Sequence, residues 1–122
     1  SSMKQDHLGR TIQSHQLQNY FDFFLGTDEK MIDKRSHKPT ILAKYSITDG
    51  EFVVCSYLSG DGKGDMKIAE EWGSRGIFTA RRGFENKSPE EIKQLLSTEG
   101  YNTFAVVMQL TELPHIVEET RL

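Results

Sequence analysis

The sequence predicts an α+β fold, a two-layer sandwich in which helices pack on one face of a mainly antiparallel sheet of about four strands. Three observations predict this class. An Asp-Gly pair separates two alternating apolar runs, a Ser-Pro-Glu-Glu motif precedes an apolar pattern with helical spacing, and a continuous apolar run follows that pattern. These are signatures of a β-hairpin, an α-helix and a buried strand.

Length and composition indicate one domain. The chain has 122 residues, close to the usual size of a single domain. Residues 1–10 are polar, and we expect a disordered N-terminal segment in which Ser1 and Ser2 are a cloning remnant. We expect residues 11–122 to form a single α+β domain.

Charge and cysteine content narrow the function classes. The formal net charge is −3 with both signs mixed along the chain, which is unlike a strongly basic nucleic-acid binder. Cys55 is the single cysteine, so no disulfide can form within the chain and a reducing compartment is favoured. The chain has no apolar run of membrane-spanning length and no signal-peptide core. We therefore expect a cytoplasmic protein with no membrane partner.

The first predicted helix covers residues 11–25. Its apolar side chains recur at helical spacing and form one stripe, and Gly26 suits the end of a helix. Residues 27–39 are rich in charge and predict a long solvated connection. Surplus aromatic residues on the helix predict a dimer or partner surface if one sheet face is uncovered: Tyr20, Phe23 and Phe24.

The predicted β-hairpin covers residues 40–58. Asp49-Gly50 is a pair that type I′ turns favour, because both central residues of that turn need positive φ. A two-residue loop would place Ile47 opposite Phe52, and the same register gathers the apolar side chains on one face.

The remaining elements follow in order. Asp65 can cap a short helix over residues 66–72, and residues 76–82 predict a third strand. Ser88 at the N-cap, followed by Pro89, predicts the start of the last helix. Residues 101–111 are apolar on both faces and predict a central strand.

The glycine-rich loop of residues 59–65 is the first candidate site. Glycines let backbone N–H groups converge on an anion, and the following helix N-terminus favours negative charge. The spacing matches neither a Walker A motif nor a dinucleotide fingerprint, and Asp61 and Asp65 would repel phosphate. The alternative is a plain turn. The candidate ligands here are Gly60, Gly62, Lys63 and Gly64.

A basic cluster after the loop is the second candidate. Arginine forks suit phosphate or carboxylate, and aromatic residues nearby could stack on a base. The alternative is a solvent-facing edge whose arginines pair with neighbouring glutamates. The cluster comprises Arg75, Arg81, Arg82 and Lys87.

No catalytic or metal-binding constellation is recognisable. None of the four histidines lies at a characteristic spacing from Cys55, so a buried, inert thiol is the favoured interpretation. No Cys or His pair has the spacing of zinc ligands. We predict no metal, no cofactor and no catalytic residue.

Three functions remain open at this stage. The first is a small binding or regulatory protein that acts through a protein–protein surface, either with a partner or as a homodimer. The second is a binder of nucleic acid or another polyanion through the basic cluster. The third is an enzyme that acts on a phosphorylated small molecule at the glycine-rich loop. Whether the protein is an enzyme is left open.

Overall fold

A computed structural model describes residues 1, 3–49, 51–56, 62–80 and 83–119. The chain divides into two compact units, Ser1–Ile47 and Thr48–Leu122. We call them the N-terminal unit and the C-terminal unit. The longest described helices have ten residues each, which is about half of a membrane span.

The N-terminal unit contains two α-helices and two short 3₁₀ turns. The helices are α1 (Gln5–Ser14) and α2 (Lys38–Tyr45), and the turns are Gln18–Tyr20 and Lys34–His37. Helix α1 ends just before Gln16, which adopts a φ of 56°. The first predicted helix therefore lies in the wrong place, because much of residues 15–25 is turn and extended chain.

Polar contacts tie the N-terminal unit together. The backbone N–H of Thr27 donates to the Met3 carbonyl at 2.8 Å, and that of Gln5 donates to the Thr27 carbonyl at 3.0 Å. The buried His37 ring donates from Nε2 to the Gly26 carbonyl at 2.8 Å. These bonds order the charged segment that the sequence presents as a solvated connection.

The C-terminal unit is built on a three-stranded, all-parallel sheet in the order β1-β2-β3. A 3₁₀ turn, Leu110–Glu112, precedes the last helix. In chain order the elements are β1 (Val53–Cys55), α3 (Lys63–Glu71), β2 (Arg75–Thr79), α4 (Pro89–Thr98), β3 (Ala105–Val107) and α5 (Leu113–Glu119).

The predicted mainly antiparallel sheet of about four strands is wrong, and so is the hairpin over residues 40–58. Residues 38–45 form helix α2 in place of a strand. A turn does form, since the Glu51 N–H donates to the Thr48 carbonyl, but it joins a helix to β1. Helices α3 and α4 connect successive strands, and such crossovers return the chain in the same direction.

The core of the C-terminal unit lies between the sheet and two helices. Phe78 and Val106 are register partners on one face of the sheet, and Met66 from α3 packs against them. Helix α4 adds Ile92 and Leu96 to the same cluster. Strand β2 is central and buried on both faces, which parallel strands require, whereas β3 is an edge strand.

The predicted start of the last long helix is confirmed at α4. The Ser88 hydroxyl accepts from the Glu91 N–H at 3.2 Å, and the Glu91 carboxylate accepts from the Ser88 N–H at 3.3 Å. Pro89 is the first helical residue. This reciprocal pair is the capping box that the sequence predicts.

Candidate functional site

The parallel topology gives the glycine-rich loop a definite place in the C-terminal unit. Strand β1 ends at Cys55 and α3 begins at Lys63, so the loop follows the carboxyl end of a strand and leads into a helix N-terminus. In open parallel sheets ligands bind outside the carboxyl ends of the strands, at a point where the strand order reverses. The order β1-β2-β3 contains no reversal among the described strands, so the helix N-terminus is the stronger argument for this edge. A helix of nine residues also places its partial positive charge there.

Gly62 is the N-cap of α3 and is required by its surroundings. Its φ is 75°, and a Cβ atom would lie 2.9 Å from Phe78 Cε2 and 3.0 Å from Ser56 Oγ. Both the backbone conformation and the space available therefore exclude a larger residue. Gly64, in the first turn, differs because a Cβ there would meet nothing within 4 Å.

The Lys63 ammonium lies against a carboxylate. Its Nζ is 2.6 Å from Glu99 Oε2 and 5.9 Å from the centre of the Tyr101 ring. An anion at the helix N-terminus would therefore compete with Glu99 for this cation. Because the two side chains are 27% and 39% exposed, solvent screens the pair and the competition is modest.

Arg75 lies at the opposite end of the sheet from Gly62. It is the first residue of β2 and sits at the amino end of the strand, about 13 Å along the chain from Thr79 at the carboxyl end. Its guanidinium lies 5.0 Å from the centre of the Phe104 ring. The structure therefore separates Arg75 from Gly62. Gly60, Arg81 and Arg82 lie outside the described residues, and their assignment to the site stays a prediction.

Two hydroxyl side chains at the carboxyl edge were not identified from the sequence. Ser56 Oγ accepts a hydrogen bond from the Thr79 N–H at 3.1 Å. Thr79 Oγ1 is buried and has no hydrogen-bond partner within the described part of the chain. A serine inside the apolar run of residues 52–58, just before the glycine-rich loop, is the sequence signal that could have pointed to this edge.

Cys55 is exposed, so the predicted burial of its thiol is wrong. Partial desolvation by neighbouring atoms nevertheless raises the pKa of the thiol above its ordinary value, which reduces the thiolate that a nucleophile needs. In the ranges that the structure describes, no three His, Cys, Asp or Glu side chains cluster as metal ligands.

The N-terminal unit has an apolar surface. Tyr20 is 81% exposed and Phe21 is 49% exposed, whereas Phe23 and Phe24 are half-buried. The Tyr45 hydroxyl donates to Asp22 Oδ2 at 2.7 Å, and this bond raises the pKa of Tyr45. The exposed large apolar side chains of this unit are Met3, Leu17, Tyr20, Phe21, Ile32 and Tyr45.

Comparison with known proteins does not identify a family for this chain. No protein-family model, no curated protein and no solved structure matches the chain.

Proposed function

We propose that this is a small binding or regulatory protein that acts through a protein–protein surface on its N-terminal unit, and that a second copy of the chain is its partner. The observation that carries the proposal is the imbalance of apolar surface. Of the ten hydrophobic side chains that are buried among the described residues, only Ile12 belongs to the N-terminal unit, which exposes six large ones.

Covering these exposed apolar side chains with a partner would lower the free energy of the protein. Removing apolar surface from water contributes about 25 cal/mol per Å². Aromatic residues dominate the central contacts of protein interfaces, because they bury a large area with few rotatable bonds. We define the aromatic segment as Leu17, Tyr20 and Phe21, which flank or form one 3₁₀ turn.

Charge complementarity favours a second copy as the partner. The N-terminal unit has seven Lys and Arg against five Asp and Glu, a formal charge of +2. The C-terminal unit has eight against thirteen, a formal charge of −5. A contact between the N-terminal unit of one copy and the C-terminal unit of another is therefore electrostatically attractive, whereas a contact between two N-terminal units is not.

The test is sedimentation velocity over two decades of protein concentration. We expect reversible dimers in the native chain, and we expect Tyr20→Ser to weaken association at least about tenfold, which is 1.4 kcal/mol. Higher salt should weaken association further if opposite charges contribute.

Leu110→Ser is the matched control, because Leu110 is 40% exposed but belongs to the C-terminal unit. It should leave the dimer unchanged. A native chain that stays monomeric throughout, or an equal loss with Leu110→Ser, would contradict a specific surface at the aromatic segment. Far-UV circular dichroism checks that both variants keep the native helix content.

A second candidate function is anion binding at the carboxyl edge of the sheet, as in an enzyme that acts on a phosphorylated small molecule. The parallel connection from β1 through Gly62 into α3 supports it. A thermal-shift screen of nucleotides and sugar phosphates tests it, with inorganic phosphate as reference. A ligand at about one hundred times its dissociation constant should add about 2.7 kcal/mol of stability.

Two variants make that screen specific. Glu99→Gln removes a carboxylate that lies against Lys63, so it should tighten binding of an anion at the α3 N-terminus. Glu90→Gln, on the exposed surface of α4, makes the same charge change elsewhere and should have no effect. No shift with any ligand in the native chain or in Glu99→Gln would remove this candidate.

The polyanion alternative and the cytoplasmic location stay predictions. Arg75 lies at the amino end of β2, away from Lys63 at the start of α3, and Arg81 and Arg82 are outside the described residues. If the basic cluster nonetheless binds DNA or RNA, affinity should fall steeply with salt.

A further inference from the structure

An open cleft of about 510 Å³ runs along α1 in the N-terminal unit. Its volume lies within the range of about 300–1,000 Å³ that is typical of small-molecule sites. The cleft adjoins the aromatic segment, because Gln18 in its lining belongs to the same 3₁₀ turn as Tyr20, but Leu17, Tyr20 and Phe21 themselves do not line it.

The floor of the cleft is apolar. Ile12 is 6% exposed, and the half-buried Phe24 ring lies beside it in the lining. Gly9, in the middle of α1, lies next to the ring, and a Cβ atom there would make an ordinary van der Waals contact with Phe24 Cε2 at 3.5 Å. A glycine inside a helix costs roughly 0.5–1 kcal/mol relative to alanine. The helix thus carries a weakening residue where its backbone borders the cleft.

The rim of the cleft carries one charge of each sign. Asp6 and Arg10 both line it, and their i, i+4 spacing places them on the same side of α1 with Cβ atoms about 5–6 Å apart. Within the described residues neither forms a salt bridge, with the other or with a third side chain. The two charges therefore face solvent separately at the mouth of the same cleft.

We propose that the α1 cleft binds a free α-amino acid with an apolar side chain, whose carboxylate meets Arg10 and whose ammonium meets Asp6. The guanidinium offers a planar fork of donors to a carboxylate. The Asp6 carboxylate accepts from an ammonium. The apolar side chain then lies on Ile12 and Phe24, beside Gly9.

The arrangement of charges selects this ligand class over simpler ones. A plain anion would be repelled by Asp6, and a plain amine would be repelled by Arg10. An internal peptide segment has neither terminal charge. Three glutamines on the rim, Gln5, Gln13 and Gln18, can add hydrogen bonds, although the Gln5 carbonyl oxygen already accepts from the Gly26 N–H.

The test is a titration of the full-length, ¹⁵N-labelled chain followed by NMR. The ligands are L-phenylalanine, phenethylamine, which lacks the carboxylate, and 3-phenylpropionate, which lacks the ammonium. We expect saturable shifts in α1 with L-phenylalanine, and binding at least about tenfold weaker for each analogue. Equal binding of all three compounds, or no saturable shift with L-phenylalanine, would overturn the proposal.

Variants then assign the charges. Arg10→Gln should weaken L-phenylalanine binding to the level of phenethylamine, and Asp6→Asn should weaken it to the level of 3-phenylpropionate. Lys30→Gln and Glu29→Gln make the same charge changes at exposed positions outside the cleft and should have no effect. Equal losses with these controls would show only a general charge effect and would reject the site.

The outcome is independent of the proposed protein–protein surface. Tyr20 does not line the cleft, so Tyr20→Ser should leave amino-acid binding unchanged whatever it does to association. Loss of amino-acid binding in Tyr20→Ser would contradict the assignment of the site to α1.

Discussion

The C-terminal unit buries Phe78, Met66 and their neighbours in one cluster between a parallel sheet and two helices, whereas the N-terminal unit buries Ile12 and exposes its aromatic segment. The first unit follows the usual layered solution, in which each element covers the apolar face of another. The second has one buried hydrophobic side chain among its described residues, and backbone and side-chain hydrogen bonds around Gly26, Thr27 and His37 contribute to holding it together.

This difference assigns most of the stability to the C-terminal unit and the candidate binding surfaces to the N-terminal unit. Ordering a residue costs roughly 1–2 kcal/mol of backbone entropy, and a typical hydrogen bond contributes only about 1 kcal/mol net. A unit that relies on hydrogen bonds therefore lies at the low-stability end of the molecule and is the natural place for binding surfaces. Both the aromatic segment and the α1 cleft belong to that unit.

The largest expected effect comes from truncating the core of the C-terminal unit. Phe78→Ala should lower the free energy of unfolding by about 3–5 kcal/mol, because the ring is 1% exposed and contacts Phe84 edge-on at 5.7 Å between centroids. Trp72, the only tryptophan, lies 6.0 Å from the Phe52 ring and reports on this unit by fluorescence during urea unfolding.

Phe21→Ala is the matched change in the N-terminal unit. Phe21 is 49% exposed, so the same truncation should cost less than about 1 kcal/mol, measured by circular dichroism in urea. Similar losses for the two variants would mean that the units do not differ in the way described above.

A smaller effect is expected at the start of α3. Gly62→Ala should cost on the order of 2 kcal/mol, because an L-residue is strained at a φ of 75° and its Cβ would press on Phe78 and Ser56. Urea unfolding followed by Trp72 fluorescence measures it. Gly64→Ala, two residues on and with open space around it, should be neutral or stabilising by up to about 1 kcal/mol. If Gly62→Ala were also neutral, the close contact of the loop with β2 would be in doubt.

The sequence predicts best where one residue type has one local role. The capping box at Ser88 and Glu91 is such a case. The short helix predicted over residues 66–72 is found as Lys63–Glu71, but the predicted cap is wrong, because Gly62 is the N-cap and Asp65 lies in the first turn. The apolar alternation of residues 41–47 was ambiguous, because a short run of this kind also fits one turn of helix, and Pro39 is well tolerated at a helix start.

The candidate site could be predicted only in part, for a related reason. The position of the glycine-rich loop before a helix is local, and Gly62, Lys63 and Gly64 do begin α3. Strand direction is not local, so the parallel sheet and the separation of Arg75 from Gly62 could not be derived. The presence of Asp6, Arg10 and Phe24 in one cleft could not be derived either, because it depends on where α1 ends.

The smallest predicted effect is a pH dependence confined to the N-terminal unit. His37 is 4% exposed, and burial lowers its pKa below the ordinary value of 6.5, although its bond to the Gly26 carbonyl acts in the opposite direction. The unfolded chain therefore binds more protons than the folded one just below pH 6.5. The contribution of His37 to the stability of this unit should be complete above pH 6.5 and should decrease as the pH falls from 6.5 toward the lowered pKa of the folded state.

Amide hydrogen exchange resolves the two units and should show faster opening around Gly26 at about pH 5 than at about pH 7.5. His37→Gln, which keeps a donor for Gly26 but cannot gain a proton, should flatten this dependence. His15→Gln, at an exposed position of the same unit, should leave the dependence in place. Equal acceleration in both units would assign the effect to general acid destabilisation and not to the buried imidazole.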